Sequence, residues 1–518
     1  MPEADSGAAR PEAGEILRKT ARGAGWVVGW RMSRRLLGLV STIILTRLLL
    51  PADFGLVALA TGLAGALEAV SNLGVEEALV RSRVVNRELL DTGFTLNLLR
   101  SALMAIAVAV AAAPAARFFN DLRLTQILLA LAALTLVDGL ENIGTVTFRR
   151  DIAFNKEFLL LTLPRLAGTV TAVSAALLTR SYWALVAGIA VTRVAGVVAS
   201  YRMHPYRPAL TLRAWRELAG FSAWVWALGF TRAIRDRLDQ MMVGKLFGDR
   251  DVGVLTVSWE LAHLPTSEIA GPLARASFSG FSAAYHAGAD TGGIYLRVVA
   301  SVWMFVLPAA VGVSTVAGLL VRVLLGQNWN GIGPIVGLAA LLCISAGYGP
   351  SATTLLAAIG RMGIQFPITL AGTVLRLALL LAFVPSYHLE GAVWATGIGM
   401  VLEWTAYHVV VCRHFRLGVA AHAAVLWRPV TAAAMMTLVL RLCGLGWAAV
   451  PASLVQVLGE LVAASALGAL VYATVILGLW LVSGRPRTSP EADVALLIGQ
   501  ETQRFHARLR NWLPRGAA

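Results

Sequence analysis

Charged residues are scarce in this sequence. Asp, Glu, Lys and Arg make up 14% of its 518 residues, against roughly 25% in an average soluble domain. Hydrophobic residues reach 57%, and the mean hydropathy is +0.70. So little charge cannot coat the two to four soluble domains that this length would otherwise suggest, nor keep a chain disordered. Cysteine is as rare: Cys343, Cys412 and Cys443 sit within or at the ends of apolar stretches. They show no metal-ligand spacing, so they read as small core residues; a disulfide scaffold is excluded and no metal is expected. A cleavable leader is missing too, because Met1 to Arg22 is polar and mixed in charge with no small-residue cleavage site after it; the first apolar span is expected to be retained. No Gly-x-x-x-x-Gly-Lys-[Ser/Thr] loop exists to cradle phosphates, which disfavours an ATP-driven pump.

What is present is a series of apolar runs near 20 residues, the length of helix that crosses a bilayer core of about 30 Å. Hydropathy and breakers predict fourteen helices, at 23–48, 54–79, 92–116, 124–147, 158–179, 182–201, 217–244, 252–274, 298–324, 331–357, 364–384, 389–412, 427–448 and 457–483. The fold class is therefore an all-α polytopic membrane protein. The net charge of +15 forms no basic domain that could track a phosphate backbone, so no nucleic-acid partner is expected. It concentrates instead in alternate loops. The loops after even-numbered spans hold sixteen cations, among them Arg81, Arg149, Arg202 and Arg413, whereas the odd-numbered loops hold eight, among them Arg47, Arg123 and Lys245. Both termini are basic. The positive-inside rule then places both in the cytoplasm, N-in and C-in, which requires an even span count. The stretch Ala492 to Leu513 is amphipathic and reads as a helix lying on the membrane surface.

The chain repeats itself at an offset of 198 residues. Arg47, Leu48, Asp53 and Gly55 lie over Lys245, Leu246, Asp251 and Gly253, and upstream Trp26-Val27 and Arg34 lie over Trp224-Val225 and Arg232. Spans 1 and 7 are copies separated by six crossings, so they run parallel, and such repeats build two lobes around a site near mid-membrane. The organisation predicted is a cytoplasmic segment 1–22, an N-lobe 23–203, a C-lobe 204–416, two extra helices in 417–484 and a cytoplasmic tail 485–518. The repeat also explains Asp249-Arg250-Asp251, which looks like the Asp-x-Asp of glycosyltransferases. Asp251 is the counterpart of Asp53 at a helix start, so its role reads as structural.

Apart from Arg47, Arg322, Arg428 and Arg441, which lie toward span ends and are counted with the loops, ten of the 44 cations fall inside spans: Arg31, Arg34, Arg35, Arg100, Arg165, Arg193, Arg232, Arg235, Arg237 and Arg376. A charge at mid-bilayer costs about 3 kcal/mol or more, so such clusters need partners, water or a ligand. Arg31, Arg34 and Arg35 share one face of helix 1, and Arg232, Arg235 and Asp239 share one face of helix 7. Arg31 is near enough to the helix end to snorkel; Arg34 and Arg232 are deeper and repeated. As repeat mates, the two helices can point both faces into one inter-lobe cavity and make it cationic. Arginine's planar fork suits a diphosphate. Of the intramembrane acids, Glu68 and, on the repeat-mate helix, Glu260 are candidates to carry H+ or Na+, with Asp138 and Glu141 beside them in the series.

Five stretches then carry a resemblance. They are Arg47-Leu-Leu-Leu-Pro-Ala-Asp-Phe-Gly-Leu-Val-Ala-Leu-Ala60, Leu73-Gly-Val-Glu-Glu-Ala-Leu-Val80, Tyr182-Trp-Ala-Leu-Val-Ala-Gly188, Arg237-Leu-Asp-Gln-Met-Met-Val-Gly-Lys-Leu-Phe-Gly248 and Pro265 to Phe278. The chain resembles the polysaccharide transporters (oligosaccharide flippases of the colanic-acid and succinoglycan exporter type) of the multidrug/oligosaccharidyl-lipid/polysaccharide flippase superfamily. The resemblance implies translocation of undecaprenyl-diphosphate-linked oligosaccharide by alternating access, without cofactor or catalysis, in the bacterial cytoplasmic (inner) membrane. It also implies membrane lipid, a polysaccharide polymerase and glycosyltransferases as partners, and marks Arg237 and Asp239 as cavity residues. Phe278-Ser-Gly-Phe, where the family often has Phe-Pro, and the arginine-rich helix 1 depart from its pattern.

Other readings compete. A multidrug exporter of the same superfamily predicts twelve spans and an apolar cavity with carboxylates. A peptidoglycan lipid-precursor flippase shares fourteen spans and a cationic cavity, so only the motifs separate it. A membrane glycosyltransferase or ligase would need a larger extramembrane loop than any here. A structural scaffold of a synthesis complex would tolerate loss of Arg34 and Arg232.

Overall fold

A computed structural model of the chain describes residues 37–71, 75, 78, 79, 86–150, 153–218, 223–447, 453–486, 489–493, 495 and 496. Among them there is no strand. Two compact units divide after Gly253, so residues 204–253, assigned above to the C-lobe on the repeat, are packed with the helices that precede them.

The first unit begins with α1 (Leu37–Leu48) and α2 (Pro51–Val70). Pro51 opens α2 at a position where its missing N–H is not needed, and Asp53 Oδ2 accepts from the Leu50 amide at 3.0 Å. Next come α3 (Arg87–Phe119), α4 (Arg123–Asp138) and the short α5 (Val146–Arg150). α3 is capped by Asn86, whose Oδ1 accepts from the Leu89 amide at 2.8 Å, and stops at Asn120 in a left-handed conformation with φ 56°. It turns Leu99, Leu103, Ile106 and Val110 outward on one exposed stripe, as a lipid-facing helix does. α6 (Phe154–Thr179) and α7 (Trp183–Met203) form a tight antiparallel pair in which Gly168 faces Thr192 and Gly188 faces Ala172. The irregular strap from His204 to Thr211 is then pinned back. Asn142 donates to the Tyr206 carbonyl at 2.8 Å, the Ala209 amide donates to Asp91 at 2.9 Å, and the Thr211 amide donates to Thr95 at 3.0 Å. It leads through α8 (Trp215–Leu218) to α9 (Ala223–Arg235), α10 (Leu238–Phe247) and the first turn of α11 (Asp249–His286).

Two of the predicted spans are not continuous helices. Residues 124–147 bend by 64° between Asp138 and Ile143, where Asn142 spends its side chain on the Gly144 amide and the strap. Residues 217–244 break at Asp236 and Arg237, where the Arg237 amide reaches only the Ile234 carbonyl.

The two copies of the repeat meet at their glycines. A Cβ on Gly55 would strike the Asp249 carbonyl and lie 2.7 Å from the Gly253 nitrogen; one on Gly253 would strike the Pro51 carbonyl and lie 3.0 Å from the Gly55 nitrogen. The starts of α2 and α11 therefore cross backbone on backbone at equivalent positions, which only glycine permits. Beside them Asp249 accepts from Arg123 at 2.7 Å and from the Arg250 amide at 2.8 Å. Asp249 is thus held in a helix-start ion pair.

The second unit holds the rest of α11, then α12 (Thr291–Leu324), α13 (Gly333–Leu342), α14 (Gly349–Ala358), α15 (Gln365–Phe415), α16 (Val419–Leu442) and α17 (Leu454–Val482). α15 contains a break at His388, with φ 50° and ψ −131°, which separates the predicted spans 11 and 12. At one end of this unit the core is built from Phe281, Tyr295, Leu355, Leu356, Tyr407 and Val411. Beyond α17 the chain is tied to that same end: Arg297 bonds Asp493, and Arg428 lies 3.4 Å from Glu491 with both side chains under 9% exposed.

Among the described residues, eight helices are long and apolar enough to cross a membrane, or nine if the bent pair is counted as one span. The protein is a multi-pass membrane protein. The helices on predicted spans 1, 2, 7 and 8 fall outside that set. Leu37–Leu48 is short, span 7 is broken, and polar residues such as Glu68, Glu260 and Glu268 dilute the other two.

Candidate functional site in the first unit

Four apolar helices of the first unit each place polar side chains in one cluster. α2 supplies Glu68, with Ser71 at its end; α3 supplies Asn97 and Arg100; α4 supplies Thr135 and Asp138; α7 supplies Arg193. Arg193 is the hub. Its Nη1 lies 2.5 Å from Asp138 Oδ2 and donates to Thr135 Oγ1 at 3.3 Å, while its Nη2 lies 3.7 Å from Glu68 Oε1. Thr135 Oγ1 in turn donates to Glu68 Oε1 at 3.0 Å. Arg100 stands alongside, donating to Asn97 Oδ1 at 3.0 Å and to Ser71 Oγ at 3.4 Å.

Two guanidinium groups face two carboxylates, so the cluster is neutral as a whole. That balance is what allows four charges to sit between membrane helices, where one alone would be costly. The side chains remain partly open: Arg193 is 22% exposed, Glu68 32% and Asp138 39%. The carboxylate oxygens of Glu68 and Asp138, with the Thr135 hydroxyl, are hard donors of the kind that hold a proton or sodium. Asn97 also lines a polar cavity of about 230 Å³ with Glu141, Asn142, Arg149 and Glu157, which extends the polar lining beyond the bend of α4.

The sequence candidates are placed as follows. Glu68 and Asp138 meet through Arg193. Glu141 lies within the bend, half-buried. Glu260 is half-buried on α11 in the second unit. Arg31, Arg34 and Arg35 lie outside the described residues. Arg232, Arg235 and Asp239 do not share one continuous helix face, because the turn at Asp236–Arg237 separates Asp239 from the other two; Arg235 donates to the adjacent Asp236 at 3.0 Å. Asp239 is buried, its Oδ1 accepting from the Gln240 amide at 2.9 Å. Arg237, at the break, lies along α2. A Cβ on Gly62 would be 3.5 Å from its Cδ, and one on Gly65 would be 3.9 Å from its Nη2. Its Nη1 donates to Gln240 at 3.2 Å. Small residues on α2 thus give the guanidinium a berth.

In the sequence, Arg193 and Arg100 are recognisable only as in-span cations. The signal for Arg193 was its place in the middle of an apolar span, with acids on two other spans to neutralise it. Outside the membrane spans, Asp121 illustrates the opposite balance: burial pushes its carboxyl up, but hydrogen bonds and charge from Arg123 outweigh this and hold it below its usual value.

The second unit contributes an apolar groove of about 810 Å³ between α12, α16 and α17, lined by Phe305, Pro308, Gly312, Leu461, Tyr472 and Trp480 among others. Glu491 and Ala495, past α17, also border it.

Comparison with known proteins agrees with this architecture. The chain is 22% identical over 410 residues to the lipopolysaccharide biosynthesis protein WzxC of Escherichia coli (strain K12), covering 76% of this chain and 80% of that one. It is 24% identical over 467 residues to the succinoglycan biosynthesis transport protein ExoT of Rhizobium meliloti (strain 1021), covering 89% and 93%. Its fold is similar to that of the lipid II flippase MurJ in an inward closed conformation, with a TM-score of 0.71 at 13% identity over 88% of this chain and 100% of that one. It is also similar to an inward-facing multidrug resistance MATE family transporter of the MOP superfamily, with a TM-score of 0.60 at 15% identity over 74% and 94%. The family of polysaccharide biosynthesis proteins matches residues 44–334, more than half of the sequence, and the chain belongs to that family.

Proposed function

We propose that the protein is a flippase. It carries undecaprenyl-diphosphate-linked oligosaccharide units from the cytoplasmic to the outer leaflet of the bacterial cytoplasmic membrane, by alternating access and without ATP. The relationship to a lipopolysaccharide biosynthesis protein and to a succinoglycan transport protein carries this reading. The chemistry supports it. Arg232, Arg235 and Arg237, beside and at a helix break, suit an anionic diphosphate; Arg31, Arg34 and Arg35, read from the sequence, and the buried Asp239 are proposed to join them. The apolar groove of the second unit suits a polyprenyl tail. Glu68 and Asp138 are the proposed coupling groups, loading H+ or Na+ when Arg193 releases them. Fourteen crossings with both termini in the cytoplasm complete the arrangement.

Deletion in the source bacterium tests it in cells. The expected result is loss of the extracellular or surface polysaccharide, with lipid-linked repeat units accumulating in the inner leaflet, and recovery with the wild-type gene. Deletion that leaves polymer and lipid-linked intermediates unchanged contradicts the proposal.

A further inference from the structure

Among the described residues, His408, Cys412 and His422 bring three ligand atoms within 4.8 Å of one another. His408 and Cys412 sit one turn apart on α15, and His422 is in the first turn of α16, across the bend at Arg416. Cys412 Sγ lies 3.5 Å from His408 Nε2 and 3.3 Å from His422 Nε2. On a four-coordinate zinc ion, with Zn–S of about 2.3 Å and Zn–N of about 2.0 Å, a sulfur and a nitrogen stand about 3.5 Å apart. The two contacts therefore already have the spacing of coordination edges. The separation of up to 4.8 Å is wider than an edge, so an ion would draw the side chains inward by rotation about their side-chain bonds.

The far side of each ring is also engaged. His422 Nδ1 lies 2.9 Å from the Gly418 carbonyl. A carbonyl only accepts, so Nδ1 carries the proton and Nε2 presents its lone pair to the sulfur. His408 Nδ1 lies 2.6 Å from the Tyr295 hydroxyl, which can accept from it and leave Nε2 free in the same way. Outer partners of this kind fix the tautomer of metal-bound histidines. We propose that His408, Cys412 and His422 form a site for a borderline transition-metal ion, zinc foremost, which ties the start of α16 to the end of α15. Water takes the fourth position, and binding releases the Cys412 thiol proton to solvent. The site is independent of what the protein transports. Without an ion, the same groups close as a relay from the Tyr295 hydroxyl through His408, Cys412 and His422 to the Gly418 carbonyl.

The test uses full-length protein in detergent, stripped with EDTA and carrying Cys443→Ser to remove the exposed thiol. Titration with Co2+ should saturate at one equivalent per chain with a thiolate charge-transfer band, and Zn2+ should bleach it. The band should vanish in Cys412→Ser, and affinity should fall by about tenfold or more in His422→Gln. Zn2+ should also slow maleimide labelling of Cys412 in the parent protein, a readout that needs no ligand variant to fold. No band and no zinc protection in monodisperse protein, or a band that survives Cys412→Ser, overturns the proposal and leaves the hydrogen-bonded relay alone.

Discussion

Arg193 decides the chemistry of the first unit because it is the group on which Glu68, Thr135 and Asp138 converge. Arg193→Ala leaves Glu68 and Asp138 without the guanidinium that bridges them, and charged groups between membrane helices are costly without a partner. Transport is expected to fall by about tenfold or more, with Arg193→Lys keeping part of it because it retains charge but loses the fork. A vesicle assay with folding checked by gel filtration reads this; full activity in Arg193→Ala would remove the cluster from the mechanism. Asp91 is a structural counterpart. It accepts from the Tyr206 hydroxyl and the Ala209 amide, so Asp91→Ala strands two donors and should destabilise by about 2 kcal/mol, measured as a lower midpoint in thermal unfolding. At Asp121, the pairing with Arg123 holds the folded-state pKa below the unfolded one. Its contribution to stability is present at neutral pH and is lost as pH falls through the lowered pKa, so the deficit of Asp121→Asn should shrink in acid.

Helices of this kind are easy to find in a sequence, because 20 apolar residues in a row have few other fates. The predicted spans contain helix among the described residues, although 124–147 and 217–244 are interrupted, and the repeat is legible down to Gly55 and Gly253. Substituting either with Leu pushes a side chain into backbone that cannot yield, and the folded yield should collapse; normal yield of Gly55→Leu would refute the backbone-on-backbone crossing. Helix breaks were less visible. The break at Asp236–Arg237 has no glycine or proline to announce it, and the contact it carries, Arg237 lying along Gly62 and Gly65 of another helix, is equally invisible in the sequence. Pairings between distant spans were not legible either. Which faces of α2, α4 and α7 meet is settled by packing, so Glu68 and Asp138 could be named but not joined. Cys412 looks like a core residue in the sequence because His408, one turn back, matters only once α16 folds over to bring His422 beside them.

At the scale of the whole molecule, the described residues 489–493 beyond α17 pack against the second unit. Arg428 and Glu491 form an ion pair from which water is nearly excluded, at 3.4 Å. Removing one partner of such a pair typically costs about 3–5 kcal/mol, and replacing both with apolar residues restores much of it. Glu491→Gln should therefore unfold at lower temperature than the wild type, and Arg428→Met with Glu491→Leu should recover. Equal stability of all three would show that the tail contributes nothing. Glu491 and Ala495 also border the apolar groove, which places that tail beside the proposed path of a lipid tail. The central claim is that the protein moves a lipid-linked sugar across a bilayer. It is tested most directly in proteoliposomes loaded with a fluorescent undecaprenyl-diphosphate oligosaccharide and read by accessibility to an impermeant glycosidase. Transfer faster than in empty liposomes, dependent on an imposed H+ or Na+ gradient and lost in Arg34→Ala/Arg232→Ala, is the expected result. Transfer no faster than in empty liposomes under either gradient, with correctly folded protein, would contradict it.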